Sequence, residues 1–272
     1  MTSLRLLVSD IDGTFVRSDK SVSDVVADAA RRLKSAGVPI ALISSRPPSG
    51  MQWIVEKLAL TAAFGAFNGG TIVNPDGTRV CTARLAAAVA ERALQLIDRP
   101  GVIKWLFHDG RWHAEREDPE HSRRERKAAN QEPIIGGDFS KLLDAVDKIV
   151  AVSDDHAMLA ALESEVADAL GGDATVIRSQ PYYLDITARA ANKGDGIAAL
   201  AKAAGVALDD VVAIGDQRND MAMFARAGLS IAMAQGPDEV RAAATKVTAS
   251  NDEDGVAKAI DEILLPMLGG KP

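Results

Sequence analysis

The stretch LLVSDIDGTF, residues 6–15, sets two carboxylates one residue apart, Asp10 and Asp12, directly behind a short apolar run. Such a run, ending in polar residues and a glycine, is expected as a buried parallel strand over residues 4–9, with both aspartates just past its carboxyl end. The pattern recurs in VVAIGDQRND, where Asp216, Asn219 and Asp220 follow an apolar run, and again in VPIALIS, which ends on Ser44. Ligands of an open parallel sheet gather outside the carboxyl ends of its strands, so Asp10, Asp12, Ser44 and Asp216 are expected at one rim. Each also has an ordinary structural use: Asp-x-Asp suits a turn or helix cap, and Asn219 suits a helix N-cap.

Three or four carboxylates on one rim repel one another by about 4 kcal/mol per close pair at an effective dielectric of about 20, unless a cation neutralises them. A bound metal is therefore expected. The donors are all oxygens, with no cysteine or histidine cluster near them, which favours Mg²⁺ over zinc.

The elements that must carry these residues alternate. After the first strand, apolar residues at Val25, Val26, Ala29, Ala30 and Leu33 recur near helical spacing and stop at Gly37. The strand VPIALIS follows, then SSRPPSG breaks it and leads into a helix over about 50–58. From about residue 78 the texture changes. KWLFHDGRWHAE alternates around Asp-Gly like a hairpin, and the aromatics concentrate there. After Lys193 the rhythm resumes with a helix to about Ala204, the strand VVAIG, a helix over NDMAMFARAG, the strand LSIAMA and a last helix ending near Leu265. The Gly-Gly-Lys-Pro tail is expected to fray. The fold class is thus α/β, a doubly wound parallel sheet interrupted by an inserted α+β domain.

Composition narrows the partners. The 272 residues are 47% hydrophobic and carry a net charge of −7, enough for a large core but no general attraction for nucleic acid or an anionic membrane. The one cysteine, Cys81, permits neither an intrachain disulfide nor a thiolate-rich metal site. The opening MTSLRLLVSD is too short an apolar run for a signal peptide, and no later run approaches a membrane span, so a cytoplasmic location is expected. Nothing in the sequence fixes an oligomeric state.

Four ordered motifs resemble the haloacid dehalogenase (HAD) superfamily, specifically its Cof-type phosphatases. They are DIDGT at 10–14, SSR at 44–46, NKG at 192–194 and GDQRND at 215–220, and the match spans nearly the whole chain. FNGG at 67–70, YYLDITA at 182–188 and ASNDEDGVAKAI near the end are further echoes. The resemblance implies a catalytic core over 1–79 and 189–272, with an inserted cap over 80–188 that closes on the substrate. It implies Asp10 as nucleophile, forming an aspartyl-phosphate, and Asp12 as general acid and base with a pKa well above that of its neighbour. Ser44, the Ser45 amide, Arg46, Lys193 and Asn219 are implied in phosphate binding, with Ser44 and Lys193 also in catalysis. Mg²⁺ is implied on Asp10, the Asp12 main-chain carbonyl, Asp216 and, in or near the shell, Asp220.

The implied substrate is a small phosphorylated metabolite, such as a sugar phosphate or phosphorylated cofactor. A phosphomutase uses the same aspartates, and a non-catalytic binding module can share the fold. No Gly-x-Gly-x-x-Gly turn follows the first strand, which argues against a dinucleotide oxidoreductase. Two departures stand out: Ser45 in place of the usual glycine, and AMAQGP at 232–237 where relatives often read Met-Gly-Asn-Ala. In the cap, Trp105, His108, Trp112, His113, Arg123 and Tyr182 are candidates for contact with the leaving group, although aromatics at strand spacing also serve as packing. The charge run around Arg123, Arg124, Arg126 and Lys127 reads as a loop or exposed helix, either a solvated face or an anion contact.

Overall fold

A computed structural model describes residues 4–269. Residues 1–3, at the start of the opening apolar stretch, and 270–272, most of the tail expected to fray, lie outside them.

The strands run in chain order as β1 (Leu6–Ser9), β2 (Ile40–Leu42), β3 (Phe64–Ala66), β4 (Thr71–Val73), β5 (Arg79–Thr82), β6 (Ile103–His108), β7 (Arg111–Ala114), β8 (Ile134–Ile135), β9 (Val146–Val152), β10 (Ala174–Gln180), β11 (Tyr183–Ala188), β12 (Val211–Gly215), β13 (Leu229–Met233) and β14 (Lys246–Thr248). Five of them form a parallel sheet in the order β14-β13-β12-β1-β2. The chain moves outward from β1 to β2, then returns to the other side of β1 at β12, so the strand order reverses between these two neighbours. A doubly wound sheet opens its ligand crevice at that reversal.

Period-two alternation explains the layers. Leu7 and Leu42 face helix α1 (Asp24–Ser35) and the carboxyl-terminal helix through Val26, Leu33 and Ile260. Leu6, Val8 and Ala41 face the opposite layer through Ile197 and Leu200. Helix α1 starts where its cap is, with the Ser23 hydroxyl accepting from the Val26 amide at 3.1 Å.

The insertion builds a six-stranded sheet, β10-β11-β9-β6-β7-β8. Its β6–β7 hairpin turns on Asp109 and Gly110, both at positive φ, as a two-residue turn between right-twisted strands requires. One face of this cap sheet, with Leu106, Ile149 and Leu184, packs on helices α3 (Ala87–Leu96) and α5 (His156–Leu170). The other, with Trp105, Phe107 and Trp112, joins the core cluster, and the Phe107 ring lies 5.5 Å from that of Phe67. Between these bodies β3, β4 and β5 form a small antiparallel sheet, and the boundary expected at 79/80 falls inside β5.

Several elements differ from expectation. Strand β2 keeps only three residues of VPIALIS, because its end is drawn onto Gly65 by the Ser44 amide. The helix expected over NDMAMFARAG is a 3₁₀ turn, Arg218–Asp220, and one helical turn, Met221–Phe224; close approach of Gly228 to the Asp209 carbonyl pulls the chain away afterwards. The last helix runs past Leu265 to Gly269 through a π-helical stretch, Ala259–Leu264. The charge run forms helix α4 (His121–Ala129). No helix among the described residues is long and apolar enough to cross a membrane.

Candidate active site

Asp10 follows β1 by one residue and Asp216 follows β12 by one residue, and these strands are neighbours, so the two carboxylates meet at the strand-order reversal. One oxygen each from Asp10, Asp216 and Asp220 lies within 4.8 Å of the others, and all three residues are buried. The Lys193 ammonium is hydrogen-bonded to both Asp10 and Asp220. Lys193 is the first residue of helix α6 (Lys193–Ala204), where the helix dipole disfavours a cation. The two carboxylates hold it there, and Asn192 caps the helix by accepting from the Asp195 amide at 2.9 Å.

Asp220 is fixed on both oxygens: one meets Lys193, and the other accepts from the Asp216 and Gln217 amides at 2.8 Å each. Gln217 thereby takes the cap position at this turn, in place of the N-cap alternative for Asn219. The Asn219 side chain instead donates to Asn68 of the FNGG loop at 3.2 Å, and its own oxygen is buried without a partner among the described residues. Asp216 accepts from Thr14 at 3.0 Å and from Gln217 at 3.0 Å.

The glycine of DIDGT is demanded twice. Gly13 has φ +82, and a Cβ on it would stand 2.4 Å from an Asp216 oxygen. Gly13→Ala is expected to cost about 1–3 kcal/mol and to displace Asp216. Denaturant melts with and without Mg²⁺ check this: the variant should lose most of any metal-induced stabilisation, and an unchanged metal response would contradict the crowding.

Asp12 points elsewhere than the cluster. Its carboxylate pairs with Arg46, at 2.6 and 2.8 Å, and with Lys20 at 2.7 Å. Burial alone would raise its pKa, but Arg46 and Lys20 outweigh burial and hold it well below the usual carboxylate range. For Asp10, burial is the largest influence and raises it. Lys193 opposes this, Asp220 and Asp216 add to it, and the result lies well above the usual range. Asp216, raised by burial and by Asp220, reaches about 6. Lys193, despite burial, is held above the ordinary lysine value by Asp10 and Asp220. The expected order of the DIDGT pair, with Asp12 above Asp10, is therefore reversed here, because Arg46, expected on the phosphate, and Lys20, which the sequence did not mark, sit on Asp12.

Ser44 is buried behind β2, its hydroxyl accepting from the Arg46 amide at 3.3 Å and its carbonyl from the Asn68 amide at 2.7 Å. Arg46 is turned onto Asp12. Ser45 receives at its carbonyl a 3.0 Å hydrogen bond from Lys148 of the cap sheet. The departing AMAQGP loop still reaches the first motif, through Gln235 donating to the Gly13 carbonyl.

A cavity of about 60 Å³ separates Asp12, Ser45 and Arg46 from Glu125, Lys148 and Tyr182 of the cap. Sequence reading missed Lys20, Glu125 and Lys148. Glu125 carried a usable signal: His121, Ser122, Glu125 and Ala129 are the buried residues of α4 and share one helical face. Of the six cap candidates, Trp105 and Trp112 are fully buried packing residues with ring centroids 4.9 Å apart. His108 pairs with Asp144, and its ring lies 6.2 Å from that of His113. Tyr182 and Arg123 lie at or beside the cleft.

A doubly wound core with buried carboxylates and a lysine at its strand-order reversal, covered by a second sheet, defines an α/β enzyme with an acidic, phosphate-suited centre. The family model described as haloacid dehalogenase-like hydrolase matches residues 7–260. The chain belongs to that family, as a Cof-type hydrolase of the phosphomonoesterase kind. It is 26% identical over 269 residues to a 5-amino-6-(5-phospho-D-ribitylamino)uracil phosphatase of Bacillus subtilis, covering 94% of this chain and 96% of the relative. It is 28% identical over 230 residues to an HMP-PP phosphatase of Cronobacter sakazakii, covering 84% of each. A haloacid dehalogenase-like hydrolase of Bacteroides thetaiotaomicron superposes with a TM-score of 0.83 at 28% identity, over 96% of this chain and all of the other.

Proposed function

We propose that the protein is a cytoplasmic, Mg²⁺-dependent phosphatase that hydrolyses a small phosphorylated metabolite, a sugar phosphate or phosphorylated cofactor, through an aspartyl-phosphate. The observation that carries this reading is Lys193 bridging Asp10 and Asp220 beside Asp216, from three separate segments, at the strand-order reversal. The two relatives, a 5-amino-6-(5-phospho-D-ribitylamino)uracil phosphatase and an HMP-PP phosphatase, support a small phosphorylated molecule.

Asp10 attacks phosphorus, forming an oxygen–phosphorus bond as the ester bond to the leaving alkoxide breaks; Asp12 gives that alkoxide its proton. Water then attacks the same phosphorus, yields its proton to Asp12, and frees Asp10 and inorganic phosphate. Lys20 and Arg46 keep Asp12 ionised before substrate arrives. A phosphoryl dianion beside it raises its pKa and competes for both cations, which makes protonation available in the complex. Ser44, the Ser45 amide, Asn219 and Lys193 bind the phosphoryl oxygens. The oxygen donors of Asp10, Asp216 and the Asp12 carbonyl fit Mg²⁺, with Asp220 behind them because its oxygens are already engaged. When bound, the ion neutralises charge on the phosphoryl oxygens. The cap over 80–188 meets the leaving group, and the narrow cavity of about 60 Å³ between cap and core widens when the cap opens for substrate entry.

Purified protein with Mg²⁺ should release phosphate steadily from some members of a phosphorylated-metabolite panel, with a transient phosphate on the Asp10 peptide by mass spectrometry. A silent panel would count against the reading. Proton competition adds a pH dependence. With Asp216 reaching about 6 and Asp10 also raised, protonation of either carboxylate opposes Mg²⁺ binding, so the affinity falls as pH drops below neutral. The rise in melting temperature on adding Mg²⁺ should thus shrink between pH 7 and pH 5, and an equal rise at both would refute the coupling.

A further inference from the structure

The small cavity beside Asp12 does not end at Tyr182. Lys20, Arg124 and Tyr182 also form the inner edge of a groove of about 550 Å³, whose outer part is lined by Arg123, Lys127 and Asp19. Four cations there face one lining carboxylate, on a chain whose net charge is −7. Arg123 and Lys127 are four residues apart on α4, on one helical face, and Lys20 comes from the loop before α1 on the opposite wall.

These cations are only partly satisfied. The Arg123 side chain makes no ion pair or hydrogen bond among the described residues. Lys127 donates to the Asp19 carbonyl oxygen. Arg124 lies 4.9 Å above the Tyr182 ring and pairs with Glu120 outside the groove. Lys20 holds Asp12. A solvated helix face would carry such charges outward on a convex surface. Here they converge from two segments on a concave wall continuous with the catalytic cleft, which focuses a positive potential along the path a leaving group must take.

We infer that the substrate carries a second anionic group, a phosphate or a carboxylate, at the end of its skeleton remote from the hydrolysed ester, held by Arg123 and Lys127 with Lys20 and Arg124 at the inner edge. This rests on the reading of Asp10 as the site of hydrolysis. The ester phosphate occupies the Asp10 centre, the skeleton passes Glu125 and Tyr182, and the second anion reaches the groove.

Two matched pairs test it: fructose 6-phosphate against fructose 1,6-bisphosphate, and glucose 6-phosphate against 6-phosphogluconate. Each is measured by kcat/KM for phosphate release and, independently of turnover, by calorimetric binding to Asp10→Asn protein. The bis-anionic member of at least one pair should be favoured by about tenfold, as a few partly exposed charge contacts allow. The ratio should fall toward one at high salt and in the Arg123→Ala/Lys127→Ala variant. Preference in the first pair alone identifies a phosphate as the second group, and in the second pair alone a carboxylate. Ratios near one in both pairs, or a ratio unmoved by the double variant, overturn the inference. Discrimination in binding without hydrolysis of any compound supports the anion groove and refutes the phosphatase reading. Absence of both binding and hydrolysis refutes both.

Discussion

Asp10→Asn is expected to lower phosphate release by about four orders of magnitude or more while leaving the metal-free fold at least as stable as the parent. The first half follows from chemistry: an amide cannot form the covalent intermediate, and loss of a nucleophile that acts as part of a unit removes nearly all of the unit's contribution. The second half follows from electrostatics. Asp10 sits beside Asp216 and Asp220, and its pKa is raised in the fold by burial, against Lys193 and with help from both carboxylates. A carboxyl raised in this way contributes stability below its unfolded pKa and loses it as pH rises through the folded value. At neutral pH the ionised side chain therefore opposes folding, and asparagine removes that cost while Lys193 keeps Asp220. Urea denaturation in EDTA should place the variant level with or above the parent at pH 7, with the gap closing toward pH 5. Adding Mg²⁺ should reverse the order, because the parent gains binding free energy that the variant lacks in part. Substantial turnover by the variant would remove Asp10 from the nucleophile's role. A variant markedly less stable than the parent at pH 7 without metal would mean that Lys193 outweighs burial and the neighbouring carboxylates.

The legible part of this site was the part written in chain order. Short apolar runs ending in Asp10, Ser44 and Asp216 specify strands whose carboxyl ends share a rim, and the alternation of strand and helix specifies which rim. The haloacid dehalogenase resemblance then singles out Lys193, which by residue type alone is an ordinary surface lysine. What escaped is set by tertiary partners. Nothing in VRSDKSVSD marks Lys20 as a partner of Asp12, since the pairing depends on how the loop folds back over the first motif. Lys148 lies in the run VDKIVAV, whose neighbours are all buried, and its direction depends on which face of the cap sheet meets the core. Arg46 is beside the phosphate loop in sequence yet turned onto Asp12 in space, and that one rotation reverses the expected pKa order of the DIDGT pair. The short helix after Asp220 escaped for a simpler reason: its apolar spacing continues to Gly228, but the backbone there is drawn onto Asp209.

Lys193→Ala is expected to cost about 3–5 kcal/mol of folding stability and about three orders of magnitude in turnover, and the two losses separate under a second substitution. Lys193 is a buried cation between two buried carboxylates, so removing it strands like charges out of water, the costly way to break a buried ion pair. Its own pKa is raised, so its contribution is constant across the neutral range and is lost only as pH rises through the folded value, far above any assay condition. The pH dependence of the variant must then come from the acids it leaves behind. As pH falls toward 5, protonation of Asp216 and Asp10, both already raised by burial and like charge, relieves the repulsion, and the stability deficit should narrow. Adding Asp220→Asn to Lys193→Ala removes one stranded charge and should recover part of the stability. Activity should stay low, because the ammonium beside the transferring phosphoryl group is gone, and one lost electrostatic contact to developing charge costs two to three orders of magnitude. Lys193→Arg should rescue poorly, since a planar guanidinium does not fit the position of a compact ammonium shared by two carboxylates. If Lys193→Ala instead folds as stably as the parent at pH 7, the lysine is not what neutralises this cluster. If the double variant regains turnover along with stability, Lys193 holds the site's shape and takes no part in the chemistry.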